Sequence, residues 1–166
     1  LSLDEFYMLY FGQSVQPGYS PYANKIAISQ ELRNLYSDEK YEEGVKVGSM
    51  LWPDNPLDLN VNWYLAMCYY NLKNYELYEK YMSIYRSIML GIVSTGNGDE
   101  PTTAYILITV DDEEEVMYYL SYKKDKVEMV DIDGHTFDKI TGIDKDTDED
   151  LVVYFNIDVP FASLTG

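Results

Sequence analysis

The spacing of apolar residues changes once along the chain, close to residue 94. Between residues 22 and 93 they recur every three or four positions, which is typical of helices packed through one face. From Thr103 they alternate with polar residues, as in strands. The turn-forming residues Ser94 to Gly98 separate the two patterns. The sequence therefore predicts an α+β fold with a helical region, 1–93, and a strand-helix-strand-strand-strand region, 94–166. We expect the two regions to form one integrated unit.

The helical region contains an internal repeat. Lys40-Tyr41-Glu42 recurs as Asn74-Tyr75-Glu76, and Leu35-Tyr36 recurs as Tyr69-Tyr70 at the same interval along the chain. This interval matches the period, about 34 residues, of helix-turn-helix repeats that stack on one another. We therefore expect about two helical hairpins in this region.

A short helix precedes the hairpins. Ser2 and Glu5 form a capping box, which predicts a helix start, and apolar spacing extends this helix to about Tyr10. The segment that follows contains two prolines and two glycines, so we expect an ordered turn or an extended loop. Tyr19 and Tyr22 are expected to anchor this loop.

The last helix of the region, about Tyr75 to Ile92, needs cover on two sides. Its apolar residues form two stripes at helical spacing: Tyr75, Tyr78, Met82, Tyr85 and Met89 on one side, and Leu77, Tyr81, Ile84, Ile88 and Ile92 on the other. Two repeats are too few for a free-standing solenoid, since such repeats usually need three or more to bury a core. We therefore predict that the preceding helix covers one side and the sheet of the second region covers the other.

The second region predicts a small, mainly antiparallel sheet with one short helix. The run from Thr103 to Val110 suits a strand buried on both faces and is expected to be central. The acidic run Asp111 to Glu115 begins the short helix, where negative charge favours the positive end of the helix dipole. A metal site in this run is disfavoured because adjacent helical side chains diverge. Asp133-Gly134 predicts a hairpin turn. The remaining strands are predicted at 126–132, 136–143 and 151–159.

Aspartates at alternate positions, Asp144, Asp146 and Asp148, resemble the start of a calcium-binding loop. Glu149 stands where an EF-hand needs glycine, and Phe155 stands where a bidentate glutamate should close the site. An EF-hand is therefore excluded. Two alternatives stay open: a plain solvated hairpin loop, which we favour, and weak calcium binding by the three aspartates.

Two residues are candidates for catalysis, and both are disfavoured. His135 is the one histidine of the chain, which removes any multi-histidine metal site, and it lies in a predicted turn, where histidines are commonly exposed and idle. Cys68 lies among apolar residues of a helix and is interpreted as a small buried hydrophobe. We therefore predict no catalytic residue and no cofactor, which favours a non-enzymatic protein.

Net charge limits the partners. The formal charge of −17 disfavours nucleic acids and anionic lipids, because the main electrostatic term is repulsive. Residues 1–92 carry −4 and residues 93–166 carry −13. No stretch reaches the roughly 18 apolar residues of a membrane helix.

The content of 18 tyrosines is unusually high. Tyrosine hydroxyls favour half-buried surfaces such as binding grooves, although tyrosine also fills thin cores.

The helical hairpins resemble a known repeat family. The segment Trp63 to Glu76 resembles the tetratricopeptide repeat, with a large residue, a leucine and a small residue before an aromatic pair and a tight turn. Gly44, Tyr78 and Glu31 depart from the family pattern, so the repeats are interpreted as degenerate.

Other segments resemble an uncharacterised family from Bacteroidetes, the domain of unknown function 4919. They are the opening Leu3 to Gly12, the loop Pro17 to Tyr22 and the closing Val153 to Asp158. The resemblance spans nearly the whole chain. It implies an exported or envelope-associated protein and supplies no activity.

Helical hairpins of this type most often present a concave groove to a peptide or a partner protein. We therefore predict a non-enzymatic interaction module, with Tyr36, Trp63, Tyr70 and the loop residues Tyr19 and Tyr22 at the binding surface. Two alternatives stay open: a hydrolase that acts on a glycan or peptide through acidic residues, and a structural subunit of an oligomer. Two carboxylates roughly 5 to 10 Å apart in a pocket, one of them desolvated, would favour the hydrolase.

Overall fold

The computed structural model of the chain describes residues 2–17, 19–20 and 25–165. The described residues form an α+β fold, with most helices in the first part of the chain and a four-stranded mixed sheet in the last part. The helices are α1 (Leu3–Gly12), α2 (Lys25–Ser37), α3 (Tyr41–Leu51), α4 (Leu59–Asn71), α5 (Tyr75–Val93), α6 (Asp112–Tyr119) and α7 (Asp158–Thr165). The strands are β1 (Tyr105–Ile106), β2 (Tyr122–Ile132), β3 (His135–Asp144) and β4 (Asp150–Asn156).

The chain divides into two compact units. The helical unit is Ala23–Ile88, and the sheet unit combines Leu1–Tyr22 with Met89–Gly166. The first helix, α1, thus belongs to the same unit as the sheet. That the two units form one integrated body stays a prediction.

The two hairpins of the helical unit have the same turn geometry. Glu39 and Lys73, which are separated by the interval of the sequence repeat, both have positive φ values, of 59° and 60°. The N–H of Lys40 donates to the carbonyl of Leu35, and the N–H of Asn74 donates to the carbonyl of Tyr69, both at 2.9 Å. These bonds satisfy carbonyl groups at the ends of α2 and α4. The sequence repeat therefore exists in the backbone, whereas the likeness to tetratricopeptide repeats stays a prediction.

Glycines allow α3 to approach α4 closely. A Cβ atom at Gly44 would lie 2.8 Å from the Sγ of Cys68, and one at Gly48 would lie 2.8 Å from the side chain of Leu65. Both distances are shorter than a carbon atom tolerates without movement of its neighbour. The small size of these residues therefore sets the distance between the helices.

A buried asparagine fixes the connection between α3 and α4. Asn62 is fully buried and donates from its amide to the carbonyls of Pro56, at 2.9 Å, and Asp58, at 2.8 Å. Its amide oxygen accepts from the indole N–H of Trp52 at 3.2 Å. Asp58 caps α4 by accepting from the N–H of Val61 at 3.0 Å. Hydrogen bonds to these buried polar groups thus fix the conformation of the loop between α3 and α4.

Both apolar stripes of α5 are buried over its second half. The buried members are Tyr81, Met82, Tyr85, Ile88, Met89 and Ile92, whereas Ile84 is half-buried and Tyr75 at the helix start is exposed. This helix has the two-sided burial that its sequence predicts. That the sheet covers one of the two sides stays a prediction.

The strand order is β1-β4-β3-β2, with β1 parallel to β4 and the other pairs antiparallel. The prediction of a central strand at Thr103 to Val110 is wrong, because β1 has two residues and lies at an edge. Residues around it, such as Leu107 and Ile108, are nevertheless buried. The apolar residues of this run are therefore buried without pairing as a strand, and the chain leaves the sheet and continues into α6.

The last predicted strand ends earlier than expected. β4 stops at Asn156, and Asp158 begins α7. The side chain of Asn156 accepts from the N–H of Asp158 at 3.1 Å, and the side chain of Asp158 accepts from the N–H of Thr136 at 2.7 Å. Pro160 follows in the first helical turn, where proline is tolerated. These bonds turn the chain out of the sheet.

The hairpin predicted at Asp133-Gly134 is confirmed, since both residues have positive φ, at 52° and 83°. β2 is longer than predicted and contains a bulge between Lys124 and Lys126. In the described part of the chain, no helix is long and apolar enough to cross a membrane.

Candidate functional site

Aromatic side chains gather at the two turns of the helical unit. The ring of Tyr36 lies 5.8 Å from that of Tyr41 and 5.4 Å from that of Trp63, measured between centroids. The ring of Tyr70 lies 5.9 Å from that of Tyr75. We call these five residues the aromatic strip.

The tyrosine pairs of the strip follow the repeat of the helical hairpins. Tyr70 follows Tyr36, and Tyr75 follows Tyr41, by the interval of the sequence repeat, so the two tyrosine pairs occupy equivalent turns. Trp63 and Tyr70 both lie on α4, two helical turns apart. Side chains with this spacing lie on one helix face, about 10 Å apart along the axis. The helical periodicity thus places Trp63 and Tyr70 on one side of α4.

The strip is accessible from solvent. Tyr70 is 49% exposed and Tyr75 is 56% exposed. Tyr36, Tyr41 and Trp63 are half-buried. The structure therefore brings Tyr36 and Trp63 together and leaves Tyr70 exposed, whereas their role in binding stays a prediction. Sequence reasoning missed Tyr41 and Tyr75 as partners of this surface, although their own place in the sequence repeat was visible.

The two predicted loop tyrosines are not part of the strip. Tyr19 lies in the sheet unit, where its hydroxyl donates to the carbonyl of Ile108. The bond ties the loop to the segment after β1, which agrees with an anchoring role. Tyr22 lies outside the described residues.

The two units differ greatly in charge. Residues 23–88 contain 7 Lys/Arg and 9 Asp/Glu, a net charge of −2, whereas the remaining residues contain 5 and 20, a net charge of −15. Long-range repulsion of anions therefore arises mainly from the residues of the sheet unit. The aromatic strip belongs to the nearly neutral unit.

A buried carboxyl group lies at the start of α6. Glu113 is 6% exposed, and its Oε1 has no hydrogen-bond partner. Burial and a hydrogen bond with Asp138 on β3 raise the pKa of Glu113 to about 9. The group is thus a neutral acid near pH 7, next to a half-buried carboxylate. Sequence reasoning missed it by treating the acidic run only as a complement to the helix dipole.

A second buried acid, Asp112, bonds to α1. The hydroxyl of Tyr10 donates to Asp112 at 2.6 Å and lies 3.5 Å from the N–H of Ile108, which donates to it. Burial first, and then the charge of Asp112, raise the pKa of Tyr10 well above its ordinary value. The tyrosine therefore stays protonated and joins α1, α6 and the intervening segment.

A groove of about 480 Å³ lies on the sheet. Its lining includes Lys123, Thr141, Ile143, Asp150 and Val152. Glu113 and Asp138 are not among its lining residues. The desolvated acid and this concave surface are thus separate features, whereas a hydrolase of the expected kind needs them together.

The single histidine and the single cysteine have structural surroundings. His135 is exposed, and its Nδ1 lies 2.6 Å from the carboxylate of Asp158. Burial opposes ionisation of Asp158, but bonds from Thr136, His135 and Asn156 outweigh it and lower the pKa. Cys68 is buried, and desolvation raises the pKa of its thiol to about 11. Little of this thiol is therefore a thiolate near pH 7.

Hydrogen bonds from backbone N–H groups to the side chain of Asp144 hold the aspartate loop, for which weak calcium binding is the less favoured alternative. Asp144 accepts from the N–H groups of Asp146, at 2.8 Å, and Thr147, at 3.3 Å. Asp148 has a positive φ of 59° at the turn. Among the described residues, no three His, Cys, Asp or Glu side chains converge in a way that could hold a metal ion.

Comparison with known proteins identifies a family. The family model of a domain of unknown function, DUF4919, matches residues 1–163. Neither the curated proteins nor the solved structures contain a match. The resemblance to this family is therefore confirmed, whereas a Bacteroidetes origin stays a prediction.

Proposed function

The chain belongs to the family of the domain of unknown function DUF4919, and we propose that it is a protein-interaction module that binds a peptide segment through the aromatic strip. The observation that carries this proposal is the repetition of an accessible tyrosine pair at two equivalent turns, with Trp63 packed against the first pair. No enzymatic step is part of the proposal.

Aromatic rings of this kind suit a binding surface. Tyrosine and tryptophan supply a large apolar area and lose little conformational entropy on binding, because each side chain has two main torsions. Their polar atoms can bond to peptide groups at the rim of the interface. The contacts of Tyr36 with Tyr41 and Trp63 hold these rings before a partner arrives. Such preorganised aromatic residues are frequent hot spots of protein interfaces.

The negative charge of the chain disfavours acidic peptides as partners. The aromatic strip belongs to residues that carry −2, and the rest of the chain carries −15. A strongly acidic peptide is repelled during approach, whereas a neutral or basic segment is not. We therefore propose a peptide that has apolar or aromatic anchor residues and few acidic residues.

A hydrolase is less well supported. The neutral Glu113 beside Asp138 resembles an acid–base pair in its chemistry, but the groove on the sheet is lined by other residues. Glu113 also lies on the buried face of α6 and is only 6% exposed. We therefore interpret the pair as a buried polar contact between α6 and β3.

Selection of binding peptides tests the proposal. Peptides from a random phage-displayed library would be selected on the full chain, and their affinities compared for the wild type, Tyr70→Ala and Tyr75→Ala. Both residues are exposed, so truncation leaves the core intact. Each variant is expected to lose roughly tenfold or more in affinity, the size of a moderate hot spot.

Tyr118→Ala is the matched control, because Tyr118 is also an exposed tyrosine, at 61%, and lies on α6. This variant is expected to bind the selected peptides as the wild type does. Equal binding by Tyr70→Ala and Tyr75→Ala, or equal loss in the control, would contradict the proposed surface.

A further inference from the structure

The edge strand β2 is long and open. It has eleven residues, from Tyr122 to Ile132, and in the described sheet it pairs on one side only, with β3. Residues from Lys123 to Met129 are all exposed. Such a strand presents a row of free backbone N–H and C=O groups, which another strand can pair with.

The charges of β2 are distributed asymmetrically along its length. Three lysines, Lys123, Lys124 and Lys126, lie in its first half, and Glu128 and Asp131 lie in its second half. With Asp125 at the bulge, the six charges cancel. The other charged residues of the sheet unit are mostly acidic. β2 is therefore a segment over which two copies can meet without local net repulsion.

We infer that β2 pairs antiparallel with β2 of a second copy of this chain, about a two-fold axis at Val127. A two-fold axis perpendicular to an antiparallel pair places one residue opposite itself. With Val127 there, Lys126 lies opposite the partner's Glu128, and the same pair recurs by symmetry. A centre at residue 126 or 128 would instead place Lys126 or Glu128 against itself. Of these three centres, only the one at Val127 pairs opposite charges without placing a like charge against itself.

An exposed apolar side chain supports the same register. Val127, on the proposed two-fold axis, is 41% exposed. Val127 lies directly opposite Ile140, so it shares the sheet face of that fully buried residue. In the paired state, Val127 contacts its symmetry mate and the apolar face continues from one copy into the other. The open backbone, the complementary charges and the apolar contact thus lie together at one edge of the sheet.

Lysines on an edge strand can also prevent pairing. An edge of one charge sign repels a second copy along its whole length. Here Lys126 already forms an ion pair with Glu128 of the same strand, at 2.7 Å. The same two side chains can exchange partners between copies. The edge is therefore self-complementary.

A charge-swap experiment tests the inference. Sedimentation equilibrium of the full chain is measured over a wide concentration range at about 0.15 M salt, where other charges are screened beyond about 8 Å. The variants are Lys126→Glu, Glu128→Lys and the double exchange. Lys46→Glu, at an exposed residue of α3, makes the same change in net charge as Lys126→Glu and serves as control.

The wild type, the control and the double exchange are expected to approach twice the 19.3 kDa mass of one chain as concentration rises. Each single variant places two like-charge pairs in the interface and is expected to dimerise roughly tenfold or more weakly. An equimolar mixture of the two single variants restores complementarity and dimerises again. A monomeric wild type, single variants that dimerise like the wild type, or a mixture that stays monomeric would each overturn the inference.

Discussion

Replacing Glu113 by glutamine should make the chain more stable at neutral and alkaline pH. Glu113 is buried on the inner face of α6 and shares a hydrogen bond with Asp138, and these surroundings raise its pKa to about 9 from 4.5. Glutamine has nearly the same shape, carries no charge and donates from its amide as the protonated acid does. The variant keeps the contact and removes the titration.

The direction of the pH effect on the free energy of unfolding follows from how many protons each state binds. Between pH 4.5 and pH 9 the folded state holds a proton on Glu113 that the unfolded state has released. The favourable contribution of this group is thus complete below pH 4.5 and is lost progressively as pH rises towards 9. The loss is about 1.4 kcal/mol for each pH unit, or about 4 kcal/mol between pH 5 and pH 8. Glu113→Gln should not show this loss.

Urea unfolding at several pH values between 5 and 8, followed by far-ultraviolet circular dichroism, measures the effect. The wild type and Glu113→Gln should have similar free energies of unfolding at pH 5 and differ by about 4 kcal/mol at pH 8. Glu114→Gln, at an exposed neighbour on the same helix, is the control and should keep the pH dependence of the wild type. Parallel pH profiles for the wild type and Glu113→Gln would refute the reasoning, because Glu113 would then not hold a proton in the folded state.

Two further substitutions test how each unit is packed. Tyr10→Phe removes the hydrogen bond to the buried Asp112 and should lower the free energy of unfolding by about 1.5–3 kcal/mol, measured by urea unfolding. Gly44→Ala places a Cβ atom 2.8 Å from the Sγ of Cys68 and should destabilise the helical unit by about 1–3 kcal/mol in the same assay. Gly12→Ala, a matched change in α1 with no atom within 4 Å of the new Cβ, should be neutral or stabilising by about 0.5–1 kcal/mol. Destabilisation of similar size at both glycines would show that close helix approach is not the cause.

Local patterns predicted the helical unit well. The repeat that relates Tyr41 to Tyr75 indicated both hairpins, and the turns at Glu39 and Lys73 have matching φ values. Such features depend on contacts between residues that are near in sequence. The hairpin at Asp133-Gly134 was predictable for the same reason.

Features that depend on distant contacts were not predictable. The run around Leu107 is buried without forming a central strand, because apolar residues report burial and not strand pairing. The end of β4 depends on a bond between Asp158 and Thr136, which are far apart in sequence.

One part of the site region could have been found from sequence. Glu113 shares helical spacing with the apolar residues Val116 and Met117, three and four positions later, and all three are buried. This spacing places its carboxyl group on the buried face of α6. The acidic run therefore contains both a buried carboxyl group, Glu113, and an exposed one, Glu114, which carries charge at the start of the helix.

The two tryptophans allow a direct test of peptide binding at the aromatic strip. Trp63 belongs to the strip, whereas the indole N–H of Trp52 donates to the buried Asn62. In a ¹⁵N-labelled chain titrated with a peptide selected on it, the indole resonance of Trp63 should shift in step with binding, and that of Trp52 should shift much less. A peptide that binds while the Trp63 resonance stays unchanged would contradict the proposal that the strip is the binding surface.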